Sequence, residues 1–335
     1  MKGAIVVCLL SLLHVSGYAA DYVKVKTVDD YTGVLKTLAF SPDGKYVAIG
    51  TSDTLNIPIF DATTWKKVAA AGDNASAITA VVFSKDSKVF AAADRRNKVV
   101  LYSTATWKSF EVVKADFVIN SISLNQDGSL LAVVGEDGGP LLWNVRDNKA
   151  VKKMNLQQEV LAVAFSPDNI HFATGGHDNM VTIWNSTGMV EKFLSGHDNN
   201  VRTVAYSPDG KYLVSGSDNN EKPFIVWDVN AGSIIHTFQN TVENGCVVDF
   251  GSDNETVATG DCRFSFGSRS RNSMGSCLIY LQNIKTGKVI QVLGKGENTL
   301  YVTDCGISCL AFSPDMKYLL AGYVSDRKLV IYEKK

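Results

Sequence analysis

Short runs in which apolar and polar residues alternate recur along the chain. Seven segments share an apolar strand, a polar turn and a second apolar strand, as in Leu38-Ala-Phe-Ser-Pro-Asp-Gly-Lys-Tyr-Val-Ala-Ile-Gly50. Such alternation is typical of β-strands, and Ser-Pro-Asp-Gly is hairpin-turn chemistry because proline fixes φ and glycine accepts a positive φ. The first strands of the seven segments end near Phe40, Phe83, Leu124, Phe165, Tyr206, Phe250 and Phe312.

The spacing of these segments predicts a closed ring of sheets. Successive anchor residues lie 43, 41, 41, 41, 44 and 62 residues apart. A period of about 40 residues with four short strands per unit is typical of propeller blades. The seventh unit lacks a fourth strand, whereas Tyr22–Asp29 forms a strand with no unit of its own. We therefore predict an all-β, closed seven-bladed β-propeller with four-stranded antiparallel blades, the last completed by the N-terminal strand.

The repeats resemble the WD-repeat (WD40) β-propeller family over about residues 21–335. The fifth unit is the closest match, with Gly196-His197, Ser-Pro-Asp-Gly and Trp227-Asp228. The resemblance implies a hydrogen-bonded structural tetrad of His197, Ser215, Asp218 and Trp227. The fourth unit keeps Thr174, Asp178 and Trp184 but has Leu156-Gln157 in place of Gly-His. The third unit keeps Asp137 and Trp143. In the other four, the Trp position holds Phe60, Tyr102, Gln282 and Tyr332, so those blades are expected to rely more on packing.

The N-terminus has the order of a secretory signal peptide. Met1-Lys2 precedes an apolar run, Ala4–Leu13, and then the small residues that end at Ala19. We predict a signal peptide over 1–19 and the propeller over 20–335, with a secreted, extracellular protein as the consequence. The alternative is an uncleaved anchor or a buried strand of a cytoplasmic protein. The sequons at Asn74, Asn185 and Asn254 are glycosylation candidates.

The cysteines of the last two units are candidates for disulfides if the protein is exported. Cys262 and Cys277 bracket a Gly/Ser-rich insertion, 262–277, in the sixth unit, and their disulfide would close this loop. Cys246 and Cys305 form the second candidate pair, and Cys309 is left over. The alternative is that these thiols are buried and unpaired.

The composition argues against several functional classes. The chain has 33 basic and 34 acidic residues and a formal charge of −1, so no basic excess favours nucleic acid. His177-Asp178 and His197-Asp198 resemble acid–base pairs, but the repeat pattern explains them as turn and tetrad residues. No motif of a hydrolase, phosphate loop or zinc site is present in the sequence, and we expect no cofactor, no metal and no catalytic residue.

One rim of the ring is the expected docking surface. The resemblance implies that the loops before the first strand and between the second and third strands of each blade share this rim. Its mixed charge favours a protein or peptide partner, and the Arg and Phe residues of the insertion have a recognition composition. The candidate partner-binding residues are Lys36, Arg95, Glu136, Glu159, Leu161, His177, Arg202, Arg263, Phe264, Phe266, Arg269 and Arg271.

These expectations combine into one hypothesis with two alternatives. The hypothesis is a non-enzymatic, secreted interaction scaffold, either a monomeric ring or part of a larger assembly, with no membrane span after signal removal. The first alternative is an intracellular WD-repeat scaffold. The second is a propeller enzyme, whose site would need converging carboxylates, His or a metal in the central channel.

Overall fold

A computed structural model describes residues 21–53, 56–136, 139–154, 156, 158–218, 222–238, 245–261, 278–294, 306–324 and 327–335, with the main chain only at 245, 246 and 261. The described residues form 28 strands in seven antiparallel four-stranded sheets. Blades 1 to 3 consist of β2 (Leu35–Phe40), β3 (Tyr46–Thr51), β4 (Ile57–Asp61), β5 (Lys67–Ala71); β6 (Ile78–Phe83), β7 (Val89–Asp94), β8 (Lys98–Ser103), β9 (Ser109–Lys114); and β10 (Ile119–Leu124), β11 (Leu130–Gly135), β12 (Leu141–Asn144), β13 (Lys149–Lys153).

Blades 4 to 7 repeat the same order of strands. They consist of β14 (Val160–Phe165), β15 (His171–Gly176), β16 (Met180–Asn185), β17 (Val190–Ser195); β18 (Val201–Tyr206), β19 (Tyr212–Ser217), β20 (Phe224–Asp228), β21 (Ser233–Phe238); β22 (Gly245–Phe250), β23 (Thr256–Asp261), β24 (Ile279–Asn283), β25 (Val289–Leu293); and β26 (Ile307–Phe312), β27 (Tyr318–Tyr323), β28 (Lys328–Lys334) with β1 (Tyr22–Val28). No helix in the described ranges is long and apolar enough to cross a membrane.

The N-terminal strand closes the ring, as the strand count predicts. β1 pairs antiparallel with β28, in the register Tyr22↔Lys334 to Val28↔Leu329, and becomes the outer strand of blade 7. The amide of Lys335 also donates to the carbonyl of Asp21 at 3.0 Å. Both ends of the described propeller are therefore held in one sheet.

The core lies between the blades. Ile57 and Ile59 of blade 1 pack against Phe83 and Phe90 of blade 2 in one buried cluster, and similar clusters fill the other interfaces around the ring. Each fully buried side chain of this size stabilises the fold by about 1.5–3 kcal/mol relative to exposure. Because each blade buries its faces against its neighbours, the ring holds its loops in place without a ligand.

In four of the seven blades, the turn after the inner strand is fixed by a side-chain hydrogen bond from Ser to Asp. Ser41 Oγ donates to Asp43 Oδ1 at 2.6 Å and accepts from the amide of Tyr46 at 2.9 Å. The same Ser-to-Asp bond is made in blades 2, 5 and 7 at 2.6–2.7 Å. We call these the Ser-Asp turns, and they lie at the end of the ring opposite the expected docking rim.

The blade 5 tetrad forms a chain of three residues. Trp227 Nε1 donates to Ser215 Oγ at 2.7 Å, and His197 Nε2 lies 2.6 Å from the same oxygen. Asp218 does not complete the chain, because its carboxylate accepts from Arg202 Nε at 2.5 Å. Burial lowers the pKa of His197 to about 4, although a hydrogen bond with the Lys222 backbone acts in the opposite direction. The imidazole of His197 is therefore neutral at pH 7.

Blades 4 and 3 keep less of the chain. In blade 4, Trp184 Nε1 donates to Thr174 Oγ1 at 2.9 Å, while the Asp178 carboxylate accepts the amide of Met180 within its own turn. In blade 3, Trp143 Nε1 is buried and has no hydrogen-bond partner among the described residues. The reason is that Val133 occupies the position that Thr174 has in blade 4.

Three blades without the Trp make other side-chain hydrogen bonds, in addition to the packing on which the sequence expects them to rely more. In blade 2, Tyr102 Oη donates to Asn74 Oδ1 at 3.0 Å. In blade 6, Thr259 Oγ1 donates to Gln282 Oε1 at 3.1 Å. In blade 7, the hydroxyls of Tyr323 and Tyr332 lie 2.9 Å apart.

The bond in blade 2 also changes the reading of one sequon. Asn74 is 4% exposed, and its amide nitrogen donates to the carbonyl of Ala92 at 3.1 Å. A glycan attached to this nitrogen would have to break the bond and open the blade, so we expect Asn74 to be unmodified in the folded protein. Asn185 and Asn254 are half-buried turn residues, and as candidates they stay predictions.

Candidate functional site

The expected rim is built by one backbone hydrogen bond that recurs around the ring. In the six blades where both residues are described, the residue after the second strand donates its amide to the carbonyl of the residue directly before the inner strand. These bonds of 2.9–3.2 Å join Ser52 to Val34, Arg95 to Ala77, Glu136 to Val118, His177 to Glu159, Asp218 to Asn200 and Val324 to Gly306. The rim side chains therefore occupy equivalent positions on a rigid frame.

The inner strands bring their first residues together at the mouth of the central channel. A cavity of about 280 Å³ there is lined by residues from all seven inner strands. Equivalent positions of six inner strands meet at this cavity, of which Lys36, Leu161 and Arg202 are predicted partner-binding residues; the other three are Thr79, Asn120 and Ser308. The seventh equivalent, Cys246, lies in β22, and the structure describes only its main chain.

A larger cavity, which we call the rim cavity, opens over blades 1 to 3. Its volume is about 630 Å³, and ten residues line it, namely Lys36, Ser52, Ala77, Ile78, Thr79, Arg95, Val118, Ile119, Asn120 and Glu136. Three of the predicted partner-binding residues thus share one concave surface, with cationic and anionic side chains and an apolar floor.

The charged rim residues of blades 4 and 5 already have partners. Glu159 accepts from Asn120 Nδ2 at 2.8 Å and lies 3.6 Å from His177 Nε2. Arg202 is paired with Asp218 at 2.5 Å. These contacts tie neighbouring parts of the rim together, and Asp218 neutralises the charge of Arg202.

Arg95 and Glu136 differ from these residues. Both are exposed, and neither side chain makes an ion pair or hydrogen bond to another residue in the part of the chain that the structure describes. They carry opposite charges on adjacent blades and line the same cavity, yet they do not pair with each other. This sector therefore offers charges that a ligand can neutralise.

Several predicted site residues lie outside the described residues. They are the signal peptide over 1–19 and the insertion residues Arg263, Phe264, Phe266, Arg269 and Arg271, together with Cys262, Cys277 and Cys305. The disulfide pairings accordingly stay predictions. Cys309, the expected leftover, is a free buried thiol whose pKa is raised to about 12 by burial.

Sequence reasoning missed a carboxylate in the inner wall of the ring. Asp249 of β22 accepts a hydrogen bond from the amide of Phe312 in the next blade at 2.7 Å. Burial raises the pKa of Asp249 to about 6, against weaker effects of this bond and of the Lys85 charge. The signal was present in the repeat alignment, because Ala39, Ala164 and Ala205 hold the same position.

A histidine between two carboxylates was missed as well. His171 Nδ1 lies 2.7 Å from Asp168 Oδ2, and its Nε2 lies 2.9 Å from Glu191 Oε2. Burial lowers the pKa of His171, but the two carboxylates outweigh it and raise the pKa above its usual value. This group joins the turn after the inner strand of blade 4 to the outer strand of that blade, away from the rim.

The chemistry that these residues offer is recognition by charge and shape. Within the described ranges, no group of three or more His, Cys, Asp or Glu side chains is placed to hold a metal ion. Glu159 and Asp218 are held by Asn120 and Arg202. The rim combines preformed cavities, mixed charge and fixed loops, which suits a peptide or protein surface.

Comparisons with known proteins agree with this architecture. Three segments match the family model "WD domain, G-beta repeat", over residues 150–185, 188–220 and 294–333. The chain therefore contains WD40 repeats within a seven-bladed propeller. Proteins of this repeat class are generally interaction scaffolds without enzymatic activity.

The similar curated proteins match short stretches only. One stretch of 60 residues is 43% identical to the small ribosomal subunit protein RACK1 of Candida albicans and covers 16% of this chain and 19% of that protein. Stretches of 49 residues are 39% identical to MST50-interacting protein 11 of Pyricularia oryzae and to the small ribosomal subunit protein RACK1 of Neurospora crassa, covering 15% of this chain and 16% of each protein. The matches thus span less than a fifth of the length of these relatives.

Proposed function

We propose that this propeller with WD40 repeats is a non-enzymatic scaffold that binds a protein or peptide partner on its rim. The observation that carries the proposal is the rim cavity, where Arg95 and Glu136 stand without described partners on a frame fixed by backbone hydrogen bonds. A preformed surface of this kind binds with little loss of conformational freedom.

The distribution of polar groups supports recognition over catalysis. An acid–base or nucleophilic site needs a base held within hydrogen-bond reach of the group that it activates. The rim carboxylates Glu159 and Asp218 instead bridge rim residues, and His197 is buried and neutral within blade 5. These residues make structural contacts that stabilise the rim and blade 5.

The test of this function is cross-linking from defined positions. A photo-reactive amino acid is placed at Val118, which is 37% exposed beside the rim cavity, or at Lys45 on a Ser-Asp turn at the opposite end. The proposal predicts that the protein in its native source cross-links to one defined partner from position 118 and not from position 45. Cross-links only from position 45 would contradict it.

We further propose that the ring enters the secretory pathway, on the basis of the N-terminal sequence. Two of the similar proteins are small ribosomal subunit proteins, which favours the alternative of an intracellular scaffold. The burial of Asn74 leaves two of the three sequons as support for export.

The intact mass of the protein from its native source distinguishes these locations. A mature chain that begins near residue 20, loses mass on deglycosylation and gains four hydrogens on reduction, as two disulfides require, supports export. An unprocessed chain with free thiols supports the intracellular scaffold. The binding function of the rim holds in both cases.

A further inference from the structure

We infer that the partner binds to one sector of the rim, over blades 1 to 3, and that the part of the partner bound there is a peptide segment with one acidic and one basic side chain. This inference rests on the proposed function and names the chemistry of the partner. It follows from which rim charges are already paired and which are not.

Opposite charges are held apart across the rim cavity. Arg95 follows β7 of blade 2, and Glu136 follows the equivalent strand β11 of blade 3. Each is anchored by its backbone amide, which donates at 3.0 Å to the carbonyl of Ala77 or Val118 in its own blade. A ligand that carries both charges can pair with each of them without moving the ring.

The neighbouring sector lacks this capacity. A ligand carboxylate at Arg202 would have to displace Asp218, and a ligand cation at Glu159 would compete with Asn120 and His177. Breaking an existing pair offsets the gain of a new one. The pairing pattern therefore directs a charged ligand to Arg95 and Glu136.

The floor of the rim cavity suits the part of the peptide between its two charges. Val118 is 37% exposed and lies beside the half-buried Ala77, whereas Ile78 and Ile119 line the cavity with almost no exposed surface. Thr79 also lines the cavity, but its hydroxyl oxygen is buried and makes no hydrogen bond to a described residue. An apolar residue flanked by an acidic and a basic one matches this surface.

The placement of the charges also gives the ligand a direction. Arg95 brings positive charge to blade 2, whereas Glu136 brings negative charge to blade 3. The acidic side chain of the ligand therefore lies over blade 2 and its basic side chain over blade 3. One order of acid and base along the peptide is preferred to the reverse.

The test uses synthetic peptides and the whole protein. Fluorescein-labelled, acetylated peptides carry one Asp and one Lys separated by one to four valines, in both orders, and their affinities are measured by fluorescence anisotropy. We expect at least one spacing to bind with a tenfold or larger preference for one order, and the binding to weaken as salt is added because it depends on charge.

Three variants localise the contact. Arg95→Glu is expected to weaken the preferred peptide at least tenfold. Arg96→Glu is the matched control, because Arg96 is an exposed neighbour that does not line the rim cavity, and it should leave affinity within twofold. The double variant Arg95→Glu/Glu136→Arg should prefer the reverse order of acid and base. Thermal unfolding of each variant checks that these exposed substitutions leave the ring folded.

The failure of this inference differs from the failure of the proposed function. If no peptide binds, or if Arg95→Glu and Arg96→Glu change the affinity for the peptide equally, the sector around Arg95 and Glu136 is not the binding site and the inference is wrong. A partner that still cross-links from the rim would then leave the scaffold function standing. If the rim captures no partner in the cross-linking experiment either, both are wrong.

Discussion

Replacing Asp249 by Asn should stabilise the ring at neutral pH. Among the described inner strands, Asp249 is the one residue whose carboxylate accepts a hydrogen bond from a backbone amide of the next blade. In blade 3 the neutral hydroxyl of Ser123 makes the equivalent bond, accepting from Phe165 at 3.0 Å. The bond therefore requires an acceptor but no charge, and Asn supplies the acceptor.

The magnitude follows from the raised pKa. A rise from 3.8 to about 6 corresponds to about 3 kcal/mol of cost for holding the charged form in the fold. Protein atoms surround the Asp249 carboxylate, yet the residue keeps some exposed surface, so water screens part of this cost. We expect Asp249→Asn to raise the free energy of unfolding by about 1–2 kcal/mol at pH 7.5.

The gain must depend on pH with a definite sign. Because the folded-state pKa is raised, the native protein loses stability as pH rises from the unfolded pKa of 3.8 to about 6, and no more above it. Asn does not titrate, so the difference between variant and parent should be small near pH 4 and constant above pH 7. Denaturant unfolding followed by tryptophan fluorescence at several pH values measures this curve.

A second aspartate gives the matched control with the opposite sign. Partial burial acts against the charge of Asp209, but hydrogen bonds from Ser207 and Lys211 outweigh it and lower its pKa. Asp209→Asn should therefore destabilise the protein at pH 7.5 and lose this effect as pH falls below 3.8. The reasoning is refuted if Asp249→Asn is destabilising at pH 7.5, or if its effect is the same at pH 4 and pH 7.5.

Three further substitutions and one mapping experiment test other contacts. Trp227→Phe should lower the free energy of unfolding by about 1–2 kcal/mol more than Trp143→Phe. Of these two tryptophans, only Trp227 donates to a described acceptor, Ser215. Equal losses would show that this hydrogen bond does not contribute to stability. His171 should contribute to the free energy of unfolding below pH 6.5, and this contribution should be lost as pH rises through its raised folded-state pKa. His171→Gln should therefore destabilise the protein more at pH 5.5 than at pH 9. The reverse trend would contradict the stabilising role of the His171 contacts with Asp168 and Glu191. Glycopeptide mapping should find Asn74 unmodified, and a glycan there would contradict its burial.

The fold was predictable because its determinants are local and repeated. The turn chemistry around Ser41–Tyr46, with alternating strands on either side, recurs at a period near 40 residues, and this pattern needs no knowledge of tertiary contacts. Counting strands also predicted that β1 completes blade 7, because the last unit lacked a partner for β28.

The side-chain partners were less predictable because they depend on geometry between strands and blades. A repeat alignment places Asp218 in the tetrad, but Arg202 on the adjacent strand reaches its carboxylate instead. It also marks Asn74 as a sequon, although Tyr102, 28 residues later, fixes its amide inside the blade. In the sequence, Asp249 differs from the alanine that several repeats have at this position. The free-energy cost of burying its charge became visible only in the structure, where the neighbouring blade packs against it.

The central claim is that the rim with its cavity, and not the opposite end of the ring, binds the partner. Hydrogen–deuterium exchange of the protein with and without the partner identified by cross-linking tests it most directly. The account predicts slower exchange in the rim loops around Arg95 and Glu136 and unchanged exchange in the Ser-Asp turns, including Ser41–Tyr46. Slower exchange in those turns, with the rim loops unchanged, would contradict it.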